Sequence, residues 1–431
     1  MRAPPAMSHP TSLDAWLAYL ETLHPKRIAL GLERVSSVYD RLAIAPSCAV
    51  VTVTGTNGKG STSAFVERML SAGGYRIGLY TSPHLSRYNE RVRIAGVDAD
   101  DAALCAAFAA VEAARQDTPL TYFEFGTLAA LWLFARERLD ALVLEVGLGG
   151  RLDAVNIVAA DVAIVTTIAI DHTDYLGPTR EDIAREKAGI FRPGRAAICA
   201  DRDPPAALIE HARAIDAHLL RLGGEFGYVA QANQWRYFGP GGTRHGLPYP
   251  ALRGSYQLAN ASAALAALDT LRERLPVSMG AVREALVGIE LPGRFQVLPG
   301  RPVTVLDVAH NEEAARALSD NLAAMDFHPR TLAVFGIMAD KDVDAVIAAL
   351  KPRVDRWLVA TLPPPRGATS TLLRARLERM GVAADAILAY EDPGAAYRAA
   401  RGMAAEADRI IVFGSFLTVA AALAQAGGRA A

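Results

Sequence analysis

The sequence predicts an α/β protein of two domains, the first a P-loop-type α/β domain and the second a smaller, doubly wound Rossmann-like sheet. Three observations predict it. The chain has 431 residues, too many for one ordinary core. Short β-branched runs alternate with stretches of helical apolar spacing along its length. The strand candidates also end in residues capable of chemistry, at the carboxyl edge where open α/β sheets collect ligands.

The organising stretch is Val50-Val51-Thr52-Val53-Thr54-Gly55-Thr56-Asn57-Gly58-Lys59-Gly60-Ser61. Its β-branched run reads as a buried strand, its glycines as a tight loop, and residues 61–70 as an opening helix. Backbone N–H groups of such a loop point at anionic oxygens, and Lys59 supplies a point charge for outer phosphates. The spacing departs from G-x-x-x-x-G-K-[ST]: Val53 stands where the first glycine belongs, and Gly60 is inserted between lysine and hydroxyl. A phosphate cradle and a plain strand-to-helix turn both remain open on pattern alone.

Bulk properties bound the rest. Hydrophobic residues make up 51% and charged residues 21%, a globular composition. A formal net charge of -1 gives no electrostatic footprint for nucleic acid or an anionic membrane, so neither is an expected partner. Cys48, Cys105 and Cys199 are scattered in apolar surroundings and read as buried thiols, not as a disulfide or zinc site. No apolar core of signal-peptide length opens the chain and no run of about 18 apolar residues follows, so the expected location is cytoplasmic.

Taken in order, a leader with Pro4, Pro5 and Pro10, read as mobile, precedes a helix over 12–23 with Ser12 as N-cap. After the organising loop come a strand over 76–80, helices over 100–115 and 125–138, strands over 141–145 and 162–167, and a helix over 181–190. A strand near 196, a helix over 204–218 and an aromatic-bearing hairpin that ends at 239–242 follow, then helices over 255–274 and 278–287. Leu291-Pro292-Gly293-Arg294 breaks the pattern, so domains are expected over 1–293 and 302–431 with a hinge at 294–301. The second alternation predicts strands over 303–308, 332–337, 357–360, 387–390 and 410–413, with helices over 312–324, 342–350, after Pro363-Pro364-Pro365, over 393–407 and at the end.

Four strand ends carry candidate groups: the loop to Ser61, Ser82, Glu145 and Asp171-His172. Ser82, Glu145 and Ser61 offer the hard oxygens that magnesium prefers, whereas an imidazole such as His172 suits softer ions. His172 is then either a site residue or a loop histidine holding Asp171 or Asp174. Glu145 closes an apolar strand, where an ionised carboxylate needs a cation or a donor, Arg151 being an obvious ion-pair partner. Lys187, beside Glu186, reads by itself as a solvated helix lysine. Asp307-Val308-Ala309-His310-Asn311 ends a strand and is either a nucleotide contact or an Asx turn capping the next helix. Arg294 either forks onto a phosphate or pins the linker.

At these positions the sequence resembles the ATP-dependent ligases of the Mur superfamily, in the branch of folylpolyglutamate synthase with dihydrofolate synthase. The resemblance rests on Gly55-Thr56-Asn57-Gly58-Lys59-Gly60-Ser61, where the inserted Gly60 is typical of the folate branch, and on Thr81-Ser82-Pro83-His84-Leu85. It continues through Glu145-Val146-Gly147-Leu148-Gly149-Gly150-Arg151-Leu152-Asp153, Asp171-His172-Thr173, Glu186-Lys187-Ala188-Gly189-Ile190, Pro292-Gly293-Arg294-Phe295 and Asp307-Val308-Ala309-His310-Asn311. These motifs run in the family's order from about Gly31 to the C-terminus.

The resemblance implies a ligase in which ATP phosphorylates the carboxylate of a pteroate or folate, and the L-glutamate amine attacks the acyl phosphate. It implies Mg2+ at Ser82, Glu145 and His172, a carbamylated Lys187, and catalytic roles for Lys59, His172 and Lys187. Nucleotide contacts are implied for the phosphate loop, Asn260, Arg294 and Asp307, with His310 near the phosphates. Leu120-Thr121-Tyr122-Phe123-Glu124-Phe125 resembles the pterin-contacting stretch of bifunctional bacterial enzymes, so Thr121, Tyr122, Phe123 and Glu124, with Arg151 and Leu152, are implied substrate contacts. Tyr122, Phe123 and Phe125 read equally as packing just before a helix. The expected protein is a monomer accepting dihydropteroate and folates. Alternatives are a polyglutamylation-only enzyme, a peptidoglycan-type amino acid ligase, and a non-catalytic P-loop protein.

Overall fold

The computed structural model of the chain describes residues 10–26, 28–254 and 256–427. The expected leader lies almost wholly outside these residues, as does Ser255 at the start of one expected helix.

The chain forms two compact units. The first comprises Met1–Ser82, Tyr88–Leu247 and Ser262–Ala285, the second Pro83–Arg87, Pro248–Ala261 and Leu286–Ala431.

The first unit begins with helices α1 (Leu13–Leu20) and α2 (Glu33–Leu42), strand β1 (Ala49–Thr54) and helix α3 (Lys59–Ala72). Ser12 caps α1 as expected, its hydroxyl accepting the Ala15 N–H. There follow β2 (Ile77–Tyr80), β3 (Val92–Ile94), β4 (Val97–Asp98), α4 (Asp101–Arg115) and α5 (Tyr122–Phe134). Next come β5 (Ala141–Glu145), β6 (Val162–Val165), α6 (Thr173–Leu176), α7 (Arg180–Ala188), β7 (Ala196–Cys199), α8 (Ala206–Ala214) and β8 (His218–Arg221). Then β9 (Gly227–Ala230), β10 (Trp235–Gly239) and β11 (Gly242–Leu247) make a three-stranded antiparallel sheet.

The main sheet runs β4-β3-β2-β5-β1-β6-β7-β8. It is parallel from β2 to β8, with β3 and β4 added antiparallel at one edge. Apolar clusters cover both faces. Leu142 and Leu144 of β5 join Trp16, Val35, Phe108 and Phe125 on one side, and Val165 and Cys199 join Ile183, Ala184 and Leu208 on the other.

Helix α9 (Tyr256–Leu271) begins in the second unit and ends in the first, and α10 (Met279–Gly288) follows. The second unit continues with β12 (Gln296–Leu298), β13 (Val303–Leu306), α11 (Glu312–Ala323), β14 (Thr331–Phe335), α12 (Val343–Leu350) and β15 (Arg356–Ala360). It closes with α13 (Ser370–Arg379), β16 (Ile387–Tyr390), α14 (Pro393–Met403), β17 (Arg409–Phe413) and α15 (Phe416–Gln425). The strand order is β12-β13-β17-β14-β15-β16, parallel except for β12. Period-2 alternation sorts the strand residues into two layers. Phe335, Trp357 and Phe413 pack with Leu318, Ile347 and Leu373, while Val334, Leu358 and Val412 pack with Tyr397, Val419 and Leu423. That is a doubly wound sheet, as expected.

Several expectations are corrected. Helix α2 and strands β3, β4 and β12 were not anticipated, and β12 lies within the segment expected as a hinge. Helix α5 starts at Tyr122, so Tyr122 and Phe123 belong to its first turn instead of preceding it. His218 opens a strand instead of ending a helix, and 239–242 is a turn inside an antiparallel sheet, not its end. Cys199 is buried, whereas Cys48 and Cys105 are only partly so. Among the described residues no helix is long and apolar enough to cross a membrane.

Candidate functional site

In the first unit the strand order places β2, β5, β1 and β6 side by side, so the four expected strand ends are neighbours at one carboxyl edge. The loop after β1 is held from beneath by the loop after β6. Thr56 N–H donates to the Thr167 carbonyl at 2.7 Å, and Thr166 Oγ1 donates to the Asn57 carbonyl at 2.6 Å. Gly55 has φ +153°, and a Cβ there would lie 1.7 Å from Thr166 Oγ1, so only glycine fits. Gly58, at φ +86°, is the N-cap of α3, and Lys59 is the first residue of that helix. Its Nζ folds back onto the Gly55 and Thr56 carbonyls at 3.0 and 3.2 Å, over the cradle. Amides and an ammonium on one turn are the groups from which an anion site can be built.

Glu145 is buried, at 4% exposure, and the Ser82 N–H approaches its Oε2 at 3.4 Å. Arg151, the ion-pair partner considered from sequence, instead binds Glu186 at 2.8 Å. A serine and a carboxylate on adjacent strand ends beside a phosphate cradle suit Mg2+, which takes one or two carboxylates and completes its shell with water and phosphate oxygens. No three His, Cys, Asp or Glu side chains among the described residues form a self-sufficient metal cage. His172 sits at φ +52° just before α6, its N–H donating to Asp171 Oδ1 at 2.8 Å, with Nε2 3.9 Å from the same oxygen. Its main-chain N–H holds Asp171, and the residue lies on the loop that follows β6.

Lys187 is the largest departure from sequence reasoning. It is only 3% exposed, so the solvated-lysine reading is wrong. Burial pushes its pKa down to about 7, the Lys59 charge pushes the same way, and Asp171 and Asp153 oppose. Asp153 accepts N–H groups from Leu148 and Val155, yet burial raises its carboxyl to about 7. Two lysines and two aspartates thus interact below the phosphate loop.

The expected substrate stretch is a capping box. Thr121 Oγ1 accepts the Glu124 N–H at 3.2 Å, and Glu124 Oε2 accepts the Thr121 N–H at 2.8 Å. Arg34 of α2 reaches the same carboxylate at 2.9 Å and donates to the Ala29 carbonyl at 2.8 Å. The Gly31 N–H donates to Leu152 O at 3.3 Å, so the turn after β5 joins this group. Phe125 is fully buried in the core, while Tyr122 and Phe123 remain partly exposed. Tyr122 meets Tyr88 edge-on under the Arg91 guanidinium. Phe123 lies over Gly147, where a Cβ would come within 2.6 Å of its ring. Arg34 had no signal in the sequence, because its partner is 90 residues away.

The second unit carries its own cluster. Asp307 is buried and accepts the Phe295 N–H at 2.9 Å and the Ala309 N–H at 2.8 Å. Burial raises its carboxyl to about 6, with those bonds and Arg294 pulling down. The Asx turn is therefore present at Asp307, but the cap of α11 is Asn311, which accepts the Ala314 N–H. His310 Nδ1 lies 2.9 Å from the Val308 carbonyl. Arg294 lays its guanidinium 5.0 Å from the Phe416 ring centroid. Asn260 donates to Gln257 at 2.9 Å, and the hydroxyl of the neighbouring Tyr256 is raised by burial and by Asp307. Tyr256, Gln257 and Phe416 were not anticipated.

Comparison with known proteins adds two family matches. Residues 53–268 match the Mur ligase middle domain, and residues 293–416 match the Mur ligase, glutamate ligase domain. The chain is 47% identical over 420 residues to the dihydrofolate synthase/folylpolyglutamate synthase of Escherichia coli K12, covering 97% of this chain and 96% of that protein. The structure of E. coli FolC in complex with DHPP and ADP superposes with a TM-score of 0.91 at 45% identity, covering 99% of both chains. A crystal structure of a bifunctional folylpolyglutamate synthase/dihydrofolate synthase with Mn, AMPPNP and L-glutamate bound gives a TM-score of 0.89 at 45% identity, covering 99% of this chain and 100% of that one.

Proposed function

Because this chain belongs to the Mur ligase family, we propose that its two clusters serve the reaction of the folate branch. The enzyme is an ATP-dependent ligase, a dihydrofolate synthase/folylpolyglutamate synthase, and it uses a divalent metal ion. It joins L-glutamate to dihydropteroate and to folates through an acyl phosphate, releasing ADP and phosphate.

The observation that carries the assignment of site residues is the adjacency of β2, β5, β1 and β6. The loop of residues 55–61, through the amides not donated to Thr167, and Lys59 hold the ATP phosphates and stabilise charge as the terminal phosphoryl group moves to the substrate carboxylate. Ser82, Glu145 and His172 would hold Mg2+, which when bound neutralises phosphate charge and polarises the transferring group. Thr121, Tyr122, Phe123, Glu124, Arg151 and Leu152 line the pterin or folate. What supports this is the capping box, which fixes Thr121 and Glu124 and leaves Tyr122 and Phe123 partly exposed.

Asn260, Arg294, Asp307 and His310 contact the nucleotide, a role supported for the first three by their grouping with Tyr256 and Gln257. Lys187 is carbamylated, and its low pKa supports this, because only the neutral amine adds to CO2. The product is a carbamate anion and a released proton, so a buried cation becomes a charge suited to support a metal. The domains are 1–293 and 302–431, and the segment between them, 294–301, expected as a hinge, carries β12 of the second sheet. A monomer in the cytoplasm completes the reading, the location supported by the free thiols of Cys48, Cys105 and Cys199.

Purified protein with ATP, Mg2+ and labelled L-glutamate, offered dihydropteroate, a reduced folate or a muramyl nucleotide, tests the reading. Incorporation is expected with the first two. Incorporation with the muramyl substrate alone sinks it, and incorporation with the folate alone reduces the enzyme to polyglutamylation.

A further inference from the structure

The backbone around Arg294 is held on three sides. Gly293 at φ +73° and Phe295 at φ +45° form a left-handed corner. Gly293 donates to Gln296 Oε1 and accepts the Val308 N–H, while the Phe295 N–H is taken by Asp307. Phe295 itself is 3% exposed and packs into the core. So costly a corner, with a non-glycine residue at positive φ, persists only where surrounding contacts over-determine it. It fixes where the Arg294 side chain begins.

Where that side chain ends is fixed differently. Both Asp307 oxygens accept backbone N–H groups, at Phe295 and at Ala309, and no bond from the guanidinium to them accompanies these. The guanidinium lies instead over the Phe416 ring, and Arg294 Nη1 is buried with no hydrogen-bond partner among the described residues. A buried charged donor left unpaired is costly, so its persistence needs an acceptor that arrives with a ligand.

The two kinds of contact use different parts of a guanidinium. A ring attracts the flat face, whereas hydrogen bonds leave in the plane, from five N–H groups on the edge. A carboxylate neighbour would position Arg294 by occupying that edge. An aromatic neighbour positions it and leaves the edge open. Phe416 is itself well anchored. It opens α15, behind Ser415, whose hydroxyl accepts the Leu417 N–H at 3.2 Å. Before that stands Gly414 at φ +106°, where a Cβ would lie 2.5 Å from the Gly336 carbonyl oxygen. The ring packs against the apolar cluster of Val412, Val419 and Leu423.

We propose that Phe416 is a positioning residue for ATP binding: its ring holds the Arg294 guanidinium by the face so that the unpaired Nη1 edge meets an oxygen of the nucleotide. This rests on the assignment of Arg294 as a nucleotide contact, and the test separates the two.

Steady-state kinetics with ATP varied compares Phe416→Leu, Phe416→Tyr, Arg294→Ala and the double variant Phe416→Leu/Arg294→Ala, each checked by its unfolding midpoint. Phe416→Leu keeps apolar bulk without the ring quadrupole and is expected to raise KM for ATP about three- to tenfold, with kcat and KM for L-glutamate little changed. Phe416→Tyr restores KM to within about twofold, since the ring face returns. Arg294→Ala raises KM further, and adding Phe416→Leu to it raises KM no more. Were Arg294→Ala to raise KM while Phe416→Leu left it unchanged, or were the two effects simply to multiply, the positioning role would be overturned with the nucleotide contact intact. An unchanged KM in Arg294→Ala would overturn the contact itself.

Discussion

Replacing Lys187 by methionine tests the buried cluster under the phosphate loop in two independent ways. The unfolded chain holds the Lys187 proton to about pH 10.5, whereas the folded chain releases it near 7. Below pH 7 both states hold it and the full cost of burying an ammonium is present. Between 7 and 10.5 the unfolded state binds more protons, so stability rises with pH, and above 10.5 the cost is gone. A shift of this size corresponds to about 5 kcal/mol at most, shared among desolvation, repulsion from Lys59 and the opposing pull of Asp171 and Asp153. Methionine matches the length and carries no charge.

In CO2-free buffer without ATP or metal, the Lys187→Met variant is therefore expected to be more stable than the parent at pH 6 by several kcal/mol. The gap should narrow steadily towards pH 10, as read from denaturant midpoints across that range. The same variant is expected to lose about 100-fold or more in ligation rate, the scale on which single charge-stabilising groups act. Parent activity should fall in CO2-scrubbed buffer and return with bicarbonate, and the variant should show neither response. A stability difference that is the same at pH 6 and pH 10 would refute the buried-ammonium account. Unimpaired ligation would remove Lys187 from the chemistry.

Glu145→Gln keeps an acceptor for the Ser82 N–H and should fold with a midpoint within about 1 kcal/mol of the parent, while losing at least about 100-fold in ligation and most Mn2+ affinity by calorimetry. Normal Mn2+ binding would place the metal elsewhere. Gly55→Ala forces a Cβ into Thr166 at φ +153° and should cost at least about 3 kcal/mol, so an unfolding midpoint near the parent's would contradict the loop geometry. Arg34→Met unties Ala29 from Glu124 and is expected to raise KM for dihydropteroate while leaving KM for ATP alone. An equal rise in both would point to general loosening. Thr121→Ala removes the cap of α5 at a cost of about 1 kcal/mol, measurable by denaturant midpoint.

Much of the fold was legible because its signals are local. Residues 141–145 form an unbroken apolar run closed by one carboxylate, and the strand has those bounds. Ser12 announced the helix it caps. Helix α2 was missed because its sequence is rich in charged residues and serine, and only Val35 and Val38 mark the inner face. Strands of two or three residues, such as β3, β4 and β12, are too short to show a period.

The site divided in the same way. Strand ends could be read one at a time, and the sheet order brought them together. Pairings across long sequence separations could not be read, among them Arg34 with Glu124 and Phe416 with Arg294. Lys187 misled because the sequence around it, Arg185-Glu186-Lys187, is that of a wet helix face, and its burial is decided by how α7 packs.

With the pterin placed as proposed, the capping box at the start of α5 limits how the substrate range can be altered. One carboxylate, Glu124, accepts the Thr121 N–H and receives Arg34, while the Thr121 hydroxyl accepts the Glu124 N–H of the helix's first turn. Changing either residue disturbs helix and loop together. Tyr122 and Phe123 lie between them with part of their surface open, so a mutagenesis library aimed at new pterin analogues belongs at those two positions. Gly147 beneath Phe123 must stay small as long as that ring is kept, because the ring is what a Cβ there would meet.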